Sequence, residues 1–243
     1  MVDSIVAFLE SIGVAKALDQ VEFLMEPGNI LFAIWETLYA PALATVLAYL
    51  IGLPLGVILV TGEENGIHPL PKALMSVLNT LINLLRSVPF LILMVVVMPM
   101  SRLILGTSIG TMATIVPLTV AAAPYVARLV ESSLREMDRG IVEAAQSMGC
   151  STWQIITKVM LPECLPSLIG GATNAAITIL GYGAMAGNIG GGGLGAIALM
   201  RGYGRNQRVV LYVAVIILVI LVQVIQSLGT ALCVKSDKRI SHK

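Results

Sequence analysis

Five stretches of the chain, at about residues 34–61, 74–100, 108–130, 165–188 and 209–233, are each long and apolar enough to cross a lipid bilayer as a helix. A spanning helix needs about 20 mostly apolar residues, because inside the bilayer every backbone polar group must find its partner within the protein. Five such runs in 243 residues leave room for little but connections. Charged residues make up 12% of the chain, whereas soluble domains carry about 25%. A water-soluble fold would lack the charge to cover its surface; lipid requires none. The expected fold class is all-α, a polytopic membrane protein with five transmembrane helices. Its expected layout is an N-terminal amphipathic segment over 1–30, a membrane domain over 31–234 with a polar loop at 135–162, and a basic tail over 235–243.

The first 30 residues lack the basic start, compact apolar core and A-x-A site of a signal peptide. Ile5, Phe8, Leu9 and Ile12 recur at helical spacing while Asp3, Glu10, Asp19, Glu22 and Glu26 fall elsewhere. That pattern fits a helix lying on the membrane surface, or a partly disordered leader. Orientation follows from loop charge. Lys72, Arg135, Arg139, Lys158, Lys235, Lys238, Arg239 and Lys243 gather on one face, and Lys16, Arg102, Arg201, Arg205 and Arg208 on the other. The positive-inside rule then predicts the N-terminus outside and the C-terminus inside.

Several chemistries are excluded by what the residues offer. A net charge of +1 gives no footing for nucleic acid, and His68 and His242 are too few and too scattered for a metal site. Cys150, Cys164 and Cys233 have no disulfide-like spacing. There is no Ser-His-Asp or Cys-His arrangement, no HExxH and no Walker lysine. None of the five runs carries a carboxylate near its centre: Glu36 lies near the outer end of the first and Glu131 just past the inner end of the third. Proton- or sodium-driven carriers keep such an acid at membrane depth, although insertion costs it about 2.5–3.5 kcal/mol. Uphill transport by this chain would therefore draw its energy from a partner. Arg86, well inside the second run, either snorkels to the interface or lines a pathway.

Between the third and fourth runs the chain turns polar. Asp138 is a candidate N-cap for a helix over 139–148, and Gly149 a candidate left-handed terminator. Ser151 and Gln154 then form an S-x-x-Q capping box that opens a second helix. Ile141, Val142, Ala145 and Met148 share one side of the first helix, and small Ala144 and Ala145 allow a close approach. Composition leaves two readings, a helix inserting into a partner's groove or one floating on headgroups.

The spacing of Glu143-Ala144-Ala145, Gly149, Val159 and Leu161-Pro162 resembles the EAA…G…I-LP signature of binding-protein-dependent ABC importer permeases, with Val for the usual Ile. "WETL" at 35–38, "IGLPLGV" at 51–57, "RSVPFLIL" at 86–93, the run 106–134, "KVMLPECLP" at 158–166 and "GYGAMAGNIGGGGLG" at 181–195 are similar to the permeases of methionine importers, a likeness covering Trp35 to Leu232. The longer N-terminal segment and the arginines of "IALMRGYGRNQR" depart from that pattern. The resemblance implies a type I ABC importer permease fold in a bacterial cytoplasmic membrane. It implies a homodimer working by alternating access, with L- or D-methionine as substrate. Two ATP-binding subunits would hold ATP and magnesium, leaving this chain without a cofactor, and an extracytoplasmic binding lipoprotein would deliver the substrate. Glu143, Ala144, Ala145, Met148 and Gly149 would form the coupling helix that seats in the ATPase. Rival functions are import of another small amino acid or organic anion, or an ATP-independent channel or carrier.

Gly190, Gly192 and Gly195 form G-x-G-x-x-G, but they end a membrane run rather than follow a strand, which argues for close-packed re-entry at a dimer axis over a nucleotide site. Before them Tyr182, Met185 and Ile189 recur at helical spacing with Asn188 beside them. These four are the candidate pathway residues. Met185 is the candidate apolar gate, its alternative being plain packing against neighbours.

Overall fold

The computed structural model of the chain describes residues 20, 22–24 and 26–237. Most of the N-terminal segment (1–19) and the tail residues 238–243 lie outside the described residues, and so do the expectations that fall on them. Among the described residues there is no strand. The elements are α1 (Pro27–Thr61), α2 (Lys72–Ser87), α3 (Phe90–Leu105), α4 (Thr111–Arg135), α5 (Arg139–Ser147), α6 (Leu165–Ala186), α7 (Gly193–Ala196, continued by π-helical turns over Ile197–Tyr203) and α8 (Arg208–Ser236). A helical approach over 152–163, part of it π-helical, leads from α5 into α6.

Four of these helices are long and apolar enough to span a membrane, and α2 with α3 makes a fifth crossing if the bent pair is one span. The run at 74–100 is therefore not one rod: α2 and α3 meet at 109°. The cause is local. Pro89 disfavours the helical conformation in the residue before it, and Val88 is extended, with φ −80° and ψ 126°.

The bundle is apolar on the outside and built on small residues within. The most buried span is α4, with 72% of its apolar window covered, whereas only 11% of the more apolar window of α8 is covered. Lipid, not water, is the solvent for α8, so its exposed Ile216, Val219, Ile220 and Val224 need no protein partner. In α1, Ala40, Ala44, Ala48, Gly52 and Gly56 recur every four residues, and all three alanines are buried. That stripe lies against α4. A Cβ on Gly52 would sit 2.7 Å from the Val126 side chain, and one on Gly56 would sit 2.6 Å from that of Val130, so only glycine admits this approach. Without a hydrophobic force between helices in lipid, such close backbone packing is what holds the pair.

The loops sort to two ends. The 62–71 turn, α5 and the close of α8 share one end, where Lys72, Arg135 and Arg139 surround one cleft and Pro162 and Asp237 line another. The 106–110 turn and the glycine segment share the other end, joined by the Gly110 N–H donating to Gly190 O at 2.8 Å. There the described part of the N-terminal segment also packs. The Arg201 guanidinium lies 3.7 Å over the Phe23 ring, and Gln20 Oε1 accepts from the Val209 N–H at 3.2 Å. Phe23, in the described part of the longer N-terminal segment, thus meets Arg201 of the arginine-bearing loop, so the two departures noted in the sequence touch.

Candidate functional site

The polar interruption folds as a helix anchored at both ends. Asp138 Oδ1 accepts from the Gly140 N–H at 2.8 Å and caps α5. At the other end Gly149 adopts φ +76°; its N–H donates to Gln146 O at 2.9 Å while the Cys150 N–H reaches back to Ala145 O at 3.1 Å. This is the paired-bond arrangement that satisfies orphan carbonyls at a helix C-terminus. Directly after it, the Ser151 N–H donates to Gln154 Oε1 at 2.9 Å and the Gln154 N–H to Ser151 Oγ at 3.4 Å, a complete capping box.

Those caps fix which way α5 faces. Ala145 is 2% exposed and joins the buried cluster of Leu134, Ile155 and Met160, with Val142 packed against it. Glu143, Ala144 and Gly149 are exposed, and Met148 is 76% exposed. The five predicted coupling residues therefore divide: Ala145 holds α5 to its own bundle, and the other four point away from it. Met148 does not share the side of Val142 and Ala145, because the helix ends at Ser147 and the chain turns. Trp153, 73% exposed, adds a large ring on the same loop that the sequence reading did not single out. An exposed tryptophan beside a capping box was its only signal. Beside α5 opens a cleft of about 760 Å³, bounded by the 62–71 turn, the start of α2, and Arg139, Glu143 and Gln146 of α5.

The predicted pathway residues divide as well. Tyr182 stacks on Phe90 of α3, ring centroids 4.4 Å apart and planes 5° from parallel, and is half-buried. Ile189 is likewise packed against the core. Met185, 47% exposed, and Asn188 point out of the protomer. They continue a stripe along α6 through Asn174 and Gly181, and Gly181 has no atom within 4 Å of where a Cβ would stand.

At the same end, the glycine segment is packed against its own chain. Gly192 leaves room for the Glu36 carboxylate and the Thr111 hydroxyl, and Gly187 and Gly195 admit the backbones of Ala196 and Ala184. Glu36 Oε1 accepts from Thr111 Oγ1 at 2.6 Å and Oε2 from the Gly193 N–H at 2.8 Å. Thr37 Oγ1 accepts from the Leu194 N–H at 2.8 Å. Two neighbouring residues of α1 thus satisfy the first orphan donors of α7. Sequence reasoning placed Glu36 near a membrane end without assigning it a partner, because Thr111 and Gly193 are far away in the chain. Among the described residues no group of three or more His, Cys, Asp or Glu is placed to hold a metal ion.

Comparison with known proteins extends this geometry. A family described as "binding-protein-dependent transport system inner membrane component" matches residues 52–241. The probable D-methionine transport system permease protein MetI of Vibrio cholerae is 48% identical over 220 residues, covering 89% of this chain and 96% of that protein. The methionine import system permease protein MetP of Bacillus subtilis is 44% identical over 168 residues, 69% of this chain and 76% of that one. A solved structure of inward facing conformations of the MetNI methionine ABC transporter aligns with a TM-score of 0.82 and 42% identity, over 84% of this chain and 94% of that one.

Proposed function

This chain belongs to the family of inner membrane components of binding-protein-dependent transport systems, and from that premise we propose that it is the permease subunit through which an ATP-driven importer carries methionine. ATP hydrolysis belongs to a separate subunit, and this chain supplies the path. The observation that carries the coupling half of this reading is α5. It is capped at both ends, pinned to the bundle by Ala145, and turns Glu143, Ala144 and Met148 outward at one end of the spans. A rigid, small-surfaced projection of this kind fits a groove in a partner.

Two copies related by a two-fold axis would offer two such projections to two ATPase subunits. The end carrying α5 faces the cytoplasm in this reading, supported by the gathering there of Lys72, Arg135 and Arg139. The α6 stripe would line the path between protomers, with Met185 as its apolar constriction, unbranched and polarisable enough to close and to yield. An extracytoplasmic binding protein would deliver methionine to the glycine end. Closure of the ATPases would draw the two α5 helices together and rock the spans from inward to outward access; hydrolysis would reset them.

Reconstitution with the ATPase and binding protein tests this. Glu143→Lys and Gly149→Pro should each abolish ATP-dependent methionine uptake while the protein still inserts. Normal uptake by either variant, or concentrative uptake by this chain alone, would overturn the coupling role.

A further inference from the structure

One carboxylate gathers two helices and the turn after α1 near the base of α5. Glu131, on the last turn but one of α4, has a side chain 11% exposed. Its Oε2 accepts from Arg128 Nη1 at 2.6 Å, and its Oε1 from Arg135 Nη2 at 2.8 Å and Nε at 3.1 Å. Each arginine then reaches to another element. Arg128 Nη2 donates to Asn79 Oδ1 at 2.8 Å and Asn83 Oδ1 at 3.0 Å, both on α2. Arg135 Nη1 donates to Glu63 Oε2 at 3.2 Å, and its Nη2 makes a closer contact with Glu63 Oε1, in the turn that follows α1.

The covalent chain connects α5 directly to α4 on one side and, through 152–163, to α6 on the other. Neither α1 nor α2 is continuous with it. A force applied to α5 reaches them through space, by way of the close packing of α1 on α4 and of these side-chain pairs, which bridge 72, 49 and 45 residues of sequence. The Arg128–Glu131 pair is mostly buried, whereas Arg135 and Glu63 are 43% and 41% exposed. Neither kind adds much net stability, because desolvation offsets the attraction of the first and solvent screens the second; the role left to them here is the relative placement of the elements they join. Arg135 and the Asp138 cap lie on either side of the turn from α4 into α5, so the network sits where bending under load would otherwise occur.

We propose that Glu131, Arg128, Arg135 and Glu63 are positioning residues for energy coupling: they clamp the loop-end halves of α1, α2 and α4 into one body, so that displacement of α5 by the ATPase moves all three. This rests on the coupling role assigned to α5 above.

The test uses the complex reconstituted with its ATPase and binding protein, in a background carrying Cys150→Ala, Cys164→Ala and Cys233→Ala. In that background the pair Glu63→Cys and Arg135→Cys removes the ionic link. Methionine carried per ATP hydrolysed should fall by about fivefold or more, the low end of typical coupling free energies between sites. Joining the two thiols with a short bifunctional reagent should restore the ratio, because a covalent strut replaces the ionic one. Undiminished coupling before cross-linking, or loss of transport on cross-linking, overturns the proposal, the second because it means the two elements must separate. Glu131→Gln gives an independent reading should the double variant fold poorly. It keeps the shape but removes the charge that holds both arginines, and should lower the ratio without lowering ATP hydrolysis; an unchanged ratio counts against the clamp. The parent background is the control on the premise. If it shows no ATP-driven uptake although the unmodified chain does, the clamp is tested by Glu131→Gln alone, and if the unmodified chain shows none, the importer reading itself fails.

Discussion

The two ends of this bundle are held by different forces. At the end carrying α5, the connections are fastened by side chains: an N-cap, a capping box and a four-membered ionic network, with Met148 and Trp153 left standing clear. At the glycine end the glycine segment is fastened backbone to backbone, with one carboxylate and one hydroxyl of α1 closing the start of α7 and side-chain contacts from Phe23 and Gln20 beside it. Side-chain fastenings leave a rigid projection whose outer surface is free to be gripped. Packing this close leaves no room for a Cβ at Gly187, Gly192 or Gly195, which suits an end that shuts against leakage in the function proposed above. In that proposed function, the same chain thus presents a handle at one end and a seal at the other.

The sharpest way to break that contrast is to add atoms to the seal. Gly195→Val puts a branched side chain where the Ala184 backbone already lies. Overpacking of this kind costs about 3 kcal/mol or more where backbone cannot move aside, so thermal unfolding of the detergent-solubilised protein should drop steeply. Gly181→Ala is the matched control, because open space surrounds that position. It should leave unfolding unchanged, and slower methionine uptake would then report a narrowed path. Next in size is Glu36→Ala, which leaves the Thr111 hydroxyl and the Gly193 N–H without their acceptor; about 1–3 kcal/mol should be lost. Glu36→Gln retains an acceptor and should recover part of it.

The handle was far more legible in the sequence than the seal. Asp138, Gly149, Ser151 and Gln154 act on backbone groups within a few residues of themselves, so their spacing alone announces the caps. Pro89 carried a local signal of the same kind, and counting apolar residues across 74–100 overrode it. What escaped reading was long-range. Tyr182 and Met185 share a helix and a spacing, yet one turns inward because Phe90 offers a parallel ring and the other is left 47% exposed. Glu36 finds Thr111 and Gly193 across 75 and 157 positions, and Glu131 collects its arginines' distant partners from α2 and from the turn after α1. No periodicity encodes such pairings. The glycines make room for atoms of their own chain, such as the Ala184 and Ala196 backbones, pairings that an expected place at a dimer axis does not specify.

Smaller effects separate anchoring from grip. Asp138→Ala removes the acceptor that caps α5 and should cost about 1 kcal/mol, visible as a modest shift in unfolding temperature with a matching fall in coupling, since a frayed helix transmits less. Met148→Ala and Trp153→Ala should behave differently. Both side chains are mostly solvent-facing in the protomer, and exposed substitutions away from caps and cores usually stay within about 0.5 kcal/mol. Their unfolding should match the parent, whereas retention of the ATPase during purification should weaken, because large exposed apolar side chains contribute mainly when a partner desolvates them. Equal losses of stability and of ATPase retention would mean that the two residues hold this chain together rather than its partner, and the contrast between a gripped end and a sealed end would fail at the handle.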